Sequence, residues 1–200
     1  MHILETQRLI LRPPSHNDEL LLHGLRSDPL VVNAVGEGVY PTIEQSKAEL
    51  LRLIDHWQHN HFGLWMVFIK SEDRNRKFAG SCGLMRSGPN MPENPKNVEL
   101  EYYLNLEASG KGIAGEGGRA AIKFAFDYLG LDKVTAFIRT TNERALRAAP
   151  KVGLIYVCDR IYNNIIMRYF EVSPKTAINE DSLNPEVATS RFAGRAAYPL

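Results

Sequence analysis

The apolar positions of this chain change period several times, and each change marks an element. Leu9, Ile10 and Leu11 lie between Arg8 and Arg12, and Pro13-Pro14 stops the run, which predicts a first strand over residues 8–12. Leu20, Leu21, Gly24 and Leu25 then recur at helical spacing, with Ser15 or Asn17 as the cap and Asp28-Pro29 as the stop. A loop holding Gly36, Gly38 and Pro41 follows. Thr42-Ile43-Glu44-Gln45 has the form of a capping box, in which a Thr hydroxyl and a Gln three residues on each satisfy an orphan amide. The helix it opens carries Ala48, Leu51 and Ile54 on one face, with Trp57 beyond, and runs to about His59.

Residues 65–70 and 78–85 read as strands of a hairpin across the charged turn 71–77. Gly80 and Gly83 in the second strand signal a bulge or the close approach of another element. Residues 88–97 hold three prolines and read as an exposed loop. From 98 to 105 the pattern alternates, with Glu99, Glu101 and Tyr103 on one face and Val98, Leu100, Tyr102 and Leu104 on the other. The turn Ser109-Gly110-Lys111-Gly112-Ile113-Ala114-Gly115 leads into a helix with Ala121, Phe124, Ala125 and Tyr128 in phase and Gly130 as its stop. A strand over 134–139 follows, then a short helix capped by Asn142 and ending near Gly153. A closing hairpin, 155–158 with 165–170, turns at Asn163-Asn164. The order β-α-α-β-β-β-α-β-α-β-β predicts an α/β fold of about seven strands and about four helices, in a mixed rather than doubly wound sheet. After Val172 the period disappears, so the body is expected over 1–171 and a tail over 172–200.

Composition adds limits. The chain has 200 residues, 44% hydrophobic, and a formal net charge of +1, which gives no field for nonspecific nucleic-acid or membrane binding. No stretch approaches the length of a membrane span, and the strand-like start carries Glu5, Arg8 and Arg12, unlike a signal peptide, so a cytoplasmic location is expected. Two distant cysteines, Cys82 and Cys158, exclude a disulfide scaffold and a thiolate zinc site; they read as reduced, half-buried thiols. His56, His59 and His61 read as a surface cluster at a helix end, and no metal is expected.

The glycine turn is the sharpest chemical feature. A Gly-rich loop before a helix presents free amides and the positive helix end to a phosphate, and Lys111 adds a point charge; the alternative is a tight turn without a ligand. Gly110-x-Gly112-x-x-Gly115 also matches a dinucleotide fingerprint. Three observations count against that reading. Its strand has a carboxylate face, it follows several strands instead of opening the fold, and the next strand ends Arg139-Thr140-Thr141 without an acidic residue for a ribose.

Taken together, the segments resemble the GNAT superfamily of acyl-CoA N-acyltransferases, within it the branch of ribosomal-protein N-terminal acetyltransferases (the Rim type). The resemblance covers about residues 3 to 171. It is carried by Glu5-Thr6-Gln7-Arg8-Leu9-Ile10-Leu11-Arg12-Pro13 with Asp18 and Ser27-Asp28-Pro29, by Val98-Glu99-Leu100-Glu101-Tyr102-Tyr103-Leu104, by Gly110-Lys111-Gly112-Ile113-Ala114, and by Asn142, Leu146-Arg147 and Lys151-Val152-Gly153-Leu154.

The resemblance implies a sheet splayed between the fourth and fifth strands, with acetyl-CoA in the split. Pantetheine would pair with the strand end at Leu104, Asn105 and Leu106. The diphosphate would rest on Gly110, Lys111, Gly112, Ile113, Ala114 and Gly115, and Asn142 would bond the pantetheine arm. A primary amine, from a small molecule or a peptide N-terminus, would attack the thioester directly in a ternary complex. Glu99 and Glu101 are candidate bases, since an α-amine titrates near 7.7–8.0 and must lose a proton. Both also fit a solvated strand face. Acceptor choice is implied to lie in the first helices and the loop from Val35 to Pro41.

Some positions depart from the pattern. Ser109, Ala145 and Ala149 stand where relatives carry a phosphate ligand or a candidate acid, Glu101 stands where Gly is usual, and Pro150 interrupts the last short helix. Tyr102, Tyr103 or Tyr156 would then supply the acid, or the thiolate would leave unprotonated. The same departures motivate the alternative of an acyl-CoA-binding regulatory module without turnover. The oligomeric state is open, with a homodimer as one option.

Overall fold

The computed structural model describes residues 2–35, 38–71, 76–86, 97–162 and 165–181. One eight-stranded sheet carries the fold, in the order β1-β2-β3-β4-β5-β6-β8-β7. Its strands are β1 (Leu4–Glu5), β2 (Leu9–Arg12), β3 (Leu64–Ile69), β4 (Lys77–Arg86), β5 (Val98–Leu104), β6 (Val134–Arg139), β7 (Ile155–Tyr162) and β8 (Ile165–Val172). The helices are α1 (Glu19–Arg26), α2 (Pro29–Val35), α3 (Ile43–Asn60), α4 (Ile113–Asp127), α5 (Glu143–Ala148) and α6 (Pro174–Asp181). All strand pairs are antiparallel except β5 with β6. That parallel pair needs a crossover, and α4 supplies it.

The alternation of β5 divides the molecule. Leu100 and Leu104 join Leu11, Trp65, Ala121 and Phe124 in the core beneath α4. On the opposite face Tyr103 packs against a second core built from Leu22, Leu25, Leu50, Leu53, Leu64 and Met85, beneath α1 and α3. Trp65 is fully buried and meets Trp57 and Phe124 edge to face, with ring centroids 5.0 and 5.3 Å apart.

The expected mixed α/β sheet is present, with more elements than the pattern predicts. Leu4–Glu5 forms a short extra strand against Leu11 and Ile10. Asp28-Pro29 starts a helix instead of only stopping one. The Asp28 carboxylate accepts from the Leu30 amide at 2.9 Å, and proline at the first helical position sacrifices an amide that has no helical partner anyway. The closing strands run beyond 158 and 170, and α6 occupies the start of the aperiodic tail. The loop 88–97, apart from Asn97, the turn at Asn163-Asn164 and residues 182–200 lie outside the described residues.

Two helix faces are corrected. Alpha-1 buries Leu22 and Leu25 while Leu20 is 74% exposed, and α3 buries Leu50, Leu53 and Trp57 while Leu51 is 46% exposed. Runs such as Leu20-Leu21-Leu22 and Leu50-Leu51 leave the helical phase ambiguous, and packing against the sheet decides it. The capping box is present as predicted: Thr42 Oγ1 accepts from the Gln45 amide at 3.2 Å, and Gln45 Oε1 from the Thr42 amide at 2.8 Å. Gly80 serves both predicted purposes. Its φ of +143 lies opposite a register shift in β3 at Val67/Phe68, and a Cβ there would come within 2.0 Å of the Tyr103 carbonyl oxygen. Pro150 ends α5 at Ala148, and a 3-10 turn continues from Ala149 to Val152.

Cys82 is fully buried under α4, and burial pushes its thiol up to about 12, so it is an inert core residue; Cys158 is partly buried. His56 is more than a surface histidine. Its Nδ1 donates to the Phe62 carbonyl at 2.9 Å, and its Nε2 accepts from the Arg86 amide at 3.2 Å, which assigns the neutral Nδ1–H tautomer. Burial lowers its pKa, so the unfolded chain binds a proton more readily. Stability from this site is therefore present above about pH 6.5, the ordinary histidine value, and is lost as pH falls through the lower folded value. Thermal unfolding between pH 7.5 and 5 checks this. The melting temperature is expected to fall on acidification by more in the native protein than in His56→Gln; equal falls contradict the assignment.

Candidate active site

Beta-5 pairs with β4 from Val98 to Leu104, yet it meets β6 at the single register pair Glu99↔Thr135. Beyond that pair the two strands separate, and a cavity of about 490 Å³ opens between them. The expected splay between the fourth and fifth predicted strands is this gap. Glu99, Glu101 and Tyr103, the predicted catalytic residues, all line it. Leu100 and Tyr102 line the α4 side, and Asn142 and Ala145 of α5 close one end.

Glu101 is held by a chain of polar contacts. The Tyr103 hydroxyl donates to Glu101 Oε2 at 2.9 Å, and the guanidinium of Arg26 lies over the Tyr103 ring, 3.9 Å from its centroid. Arg26 pairs with Glu49 through two hydrogen bonds, Nε to Oε2 at 3.0 Å and Nη2 to Oε1. Its side chain is only 12% exposed, so the charge needs that carboxylate. Burial raises the Glu101 pKa, while the Tyr103 hydrogen bond and Arg26 partly oppose the rise. A carboxylate shifted in that direction is a better proton acceptor than an ordinary one. Arg26 and Glu49 were missed from sequence, because an Arg on one helix and a Glu on another show no shared motif.

The three tyrosines separate in space. Tyr103 is committed to Glu101. Tyr156 is half-exposed on β7, and its hydroxyl donates to Asp159 at 3.1 Å. Tyr102 reaches across the gap, and its hydroxyl donates to the Ala145 carbonyl at 3.3 Å. Burial pushes the Tyr102 phenol well above its ordinary range, so it serves here as a hydrogen-bond donor rather than a ready acid.

The glycine turn lies where β5 leads into α4. Gly110 and Gly112 both adopt φ of +77, in the left-handed region, and Gly112 is the N-cap. The amides of Ile113, Ala114 and Gly115 begin the helix and have no intrahelical acceptor. Gly110, Lys111 and Gly112 are exposed. The turn is braced from the first segment of the chain. Arg8 Nη1 donates to the Lys111 carbonyl at 3.0 Å, and its Nε donates to Glu116 Oε2 at 2.6 Å. Glu116 Oε1 also accepts from the Arg8 amide at 2.9 Å and from the Thr6 hydroxyl at 2.5 Å. Those contacts outweigh burial and lower the Glu116 pKa, so it stays ionised.

The other predicted cofactor residues are tied into the fold. Leu104 is buried at the end of β5. Asn105 is a turn builder, its Nδ2 donating to the Phe78 carbonyl at 3.0 Å and its Oδ1 accepting from the Ala108 amide at 2.9 Å. The Leu106 amide donates to Asp28 Oδ2 at 2.9 Å, so Asp28 ties the start of α2 to the end of β5. Asn142 Oδ1 caps α5 through the Ala145 amide at 3.1 Å, and the side chain still lines the cavity. Among the described residues, no group of three His, Cys, Asp or Glu side chains is placed to hold a metal ion, and no helix is long and apolar enough to cross a membrane.

Residues 8–155 match the family described as Acetyltransferase (GNAT) domain. The chain belongs to that family. It is thus an N-acetyltransferase dependent on acetyl-CoA. A curated relative is the Bacillus subtilis (strain 168) protein YkkB, 28% identical over 155 residues, which are 76% of this chain and 85% of that protein. Among solved structures, the aminoglycoside acetyltransferase AAC(6')-Ib in complex with coenzyme A and kanamycin is similar at TM-score 0.71 and 16% identity, covering 86% of this chain and 98% of the other. RimL, a ribosomal L7/L12 alpha-N-protein acetyltransferase in complex with coenzyme A, is similar at TM-score 0.70 and 14% identity, covering 86% and 97%. At these identities the structures speak for the fold, and the fold is compatible with the Rim-type resemblance.

The residues present fit the cofactor that this membership implies. A left-handed glycine cap with open amides suits a diphosphate, and the gap beside β5 suits an extended arm. Glu116→Ala removes the acceptor for Thr6, for the Arg8 amide and for the Arg8 guanidinium. It is expected to cost about 1–3 kcal/mol of folding stability and to weaken coenzyme A binding. Unfolding curves and calorimetric titration with coenzyme A check this; an unchanged affinity in a folded variant contradicts the bracing role.

Proposed function

We propose that this protein acetylates a primary amine by direct transfer in a ternary complex, with Glu101 as the proton acceptor. The observation that carries the reading is the position of Glu101. Its carboxylate lines the gap between β5 and β6, has a raised pKa and is oriented by Tyr103.

Bound acetyl-CoA supplies an acetyl group activated as a thioester. The chain's own residues supply the rest. The amides at 110–115 and Lys111 hold the diphosphate, and Asn142, with the open edge of β5, holds the arm. Glu101 would take one proton from the acceptor's ammonium nitrogen, which leaves the lone pair free for attack; as the C–N bond forms and the thioester C–S bond breaks, the nitrogen's second proton would pass to the departing thiolate, giving the amide and free coenzyme A thiol. Glu99 faces the same cavity and adds negative potential that draws the ammonium in. On the α5 side the Tyr102 hydroxyl is held by the Ala145 carbonyl and closes the cavity there. The acceptor's wall is formed by α2, whose Ala34 lines the cavity and whose start is pinned by Asp28.

The RimL and AAC(6')-Ib likenesses support amine acetylation in general. They leave peptide N-termini and small amines as acceptor classes. Glu101→Gln keeps the shape and removes the base. It is expected to lower kcat/KM for the acceptor by about 100-fold or more, with coenzyme A affinity unchanged. Release of free coenzyme A thiol gives the rate and calorimetry the affinity. Full turnover in Glu101→Gln overturns the assignment; coenzyme A binding without turnover on any amine favours the regulatory module.

A further inference from the structure

We infer that the acceptor is a singly charged primary amine with an apolar or aromatic group a few bonds from its nitrogen, rather than a polycation. This rests on the acetyl-transfer reading above and comes from the wall facing the carboxylates. Strand alternation puts Phe137 and Arg139 of β6 on the face opposite Ala136 and Ile138, which lie in the core beneath α4. On β8, Met167 pairs with Arg139 and Tyr169 with Phe137, so Ile165 and Met167 share that face. Phe137, Ile165 and Met167 all line the cavity across from Glu99 and Glu101. The Phe137 ring is packed on Tyr169, with centroids 4.9 Å apart, so this wall is preformed.

Charge points the same way. Among the described lining residues the ionisable groups are Glu99, Glu101 and Arg139, plus the phenols of Tyr102 and Tyr103. Arg26 lies behind Tyr103 and is matched by Glu49. The carboxylates stand on β5 and the apolar side chains on β6 and β8, so an ammonium at Glu101 leaves its substituent facing that wall. A second ammonium group, or the hydroxyls of a sugar, set against Phe137, Ile165 and Met167 would lose water without gaining a hydrogen bond from those side chains. An apolar group beside the amine fills that wall instead.

The same chemistry occurs in a small aralkylamine and in a peptide with a hydrophobic first residue, and the test separates them. The full-length protein is assayed for coenzyme A thiol release with 2-phenylethylamine, a peptide beginning with Phe, spermidine and kanamycin, and acceptor binding is followed by calorimetry with coenzyme A present. One or both of the first two amines are expected to exceed spermidine and kanamycin by about tenfold or more in kcat/KM, and to bind more tightly. Phe137→Ala is expected to reduce that ratio. Because its ring packs on Tyr169, Met167→Ala provides a second variant, and retained coenzyme A binding shows that each is folded. Equal or better use of spermidine or kanamycin overturns the inference and leaves acetyl transfer intact. Coenzyme A binding with no turnover of any amine removes the reading beneath it, and the inference with it.

Discussion

The parting of β5 from β6 after Glu99↔Thr135 is the constraint on which the rest of this molecule depends. In a continuous sheet the backbone groups of β5 would be spent on both neighbours, and its side chains would be packed out of reach. Here one edge of β5 stays open past the junction, and groups from both faces of the sheet reach one cavity. The gap is lined on either side. Tyr102 reaches Ala145 on the α4 side, and the Glu101–Tyr103–Arg26–Glu49 series stands on the other. The second series also orients Glu101, the carboxylate proposed as the proton acceptor.

Two further contacts tie the ends of the site to the body. Arg8 and Thr6, from the first segment of the chain, meet Glu116 at the first turn of α4 and hold the glycine turn in place. Asp28 joins the start of α2 to the Leu106 amide, so α2 and the segment that leads from β5 into the glycine turn are tied to each other. Asp28 accepts from two backbone amides, and Glu116 from one amide and two side chains. Removing one therefore leaves several donors without a partner, a larger penalty than loss of a surface ion pair.

Much of this was legible in the sequence, for reasons that differ by residue. The alternation at 98–104 announced a strand with a polar face, and Glu99, Glu101 and Tyr103 do share one cavity. The glycines at 110 and 112 announced a tight turn before a helix, and both prove left-handed. Asn142 announced a cap. What stayed hidden depends on contacts between distant segments. The buried faces of α1 and α3 were misphased because consecutive leucines fit two helical phases equally well. Alpha-2 was lost because Asp28-Pro29 serves equally to end one helix and begin the next. Arg26, Glu49 and the brace from Arg8 to Glu116 join segments up to 108 residues apart, and no local pattern encodes them. The opening in the sheet itself is a fact of pairing, which only the resemblance to a family foretold.

In the proposed reading, the open edge of β5 and the glycine turn together form one binding surface for coenzyme A. Amide hydrogen exchange with and without coenzyme A tests it most directly. Slower exchange is expected at the amides of 110–115 and in β5 beyond Glu99 when coenzyme A is added, with β7, at the far edge of the sheet, unchanged. Binding of coenzyme A that leaves both segments exchanging at their free rates would contradict it.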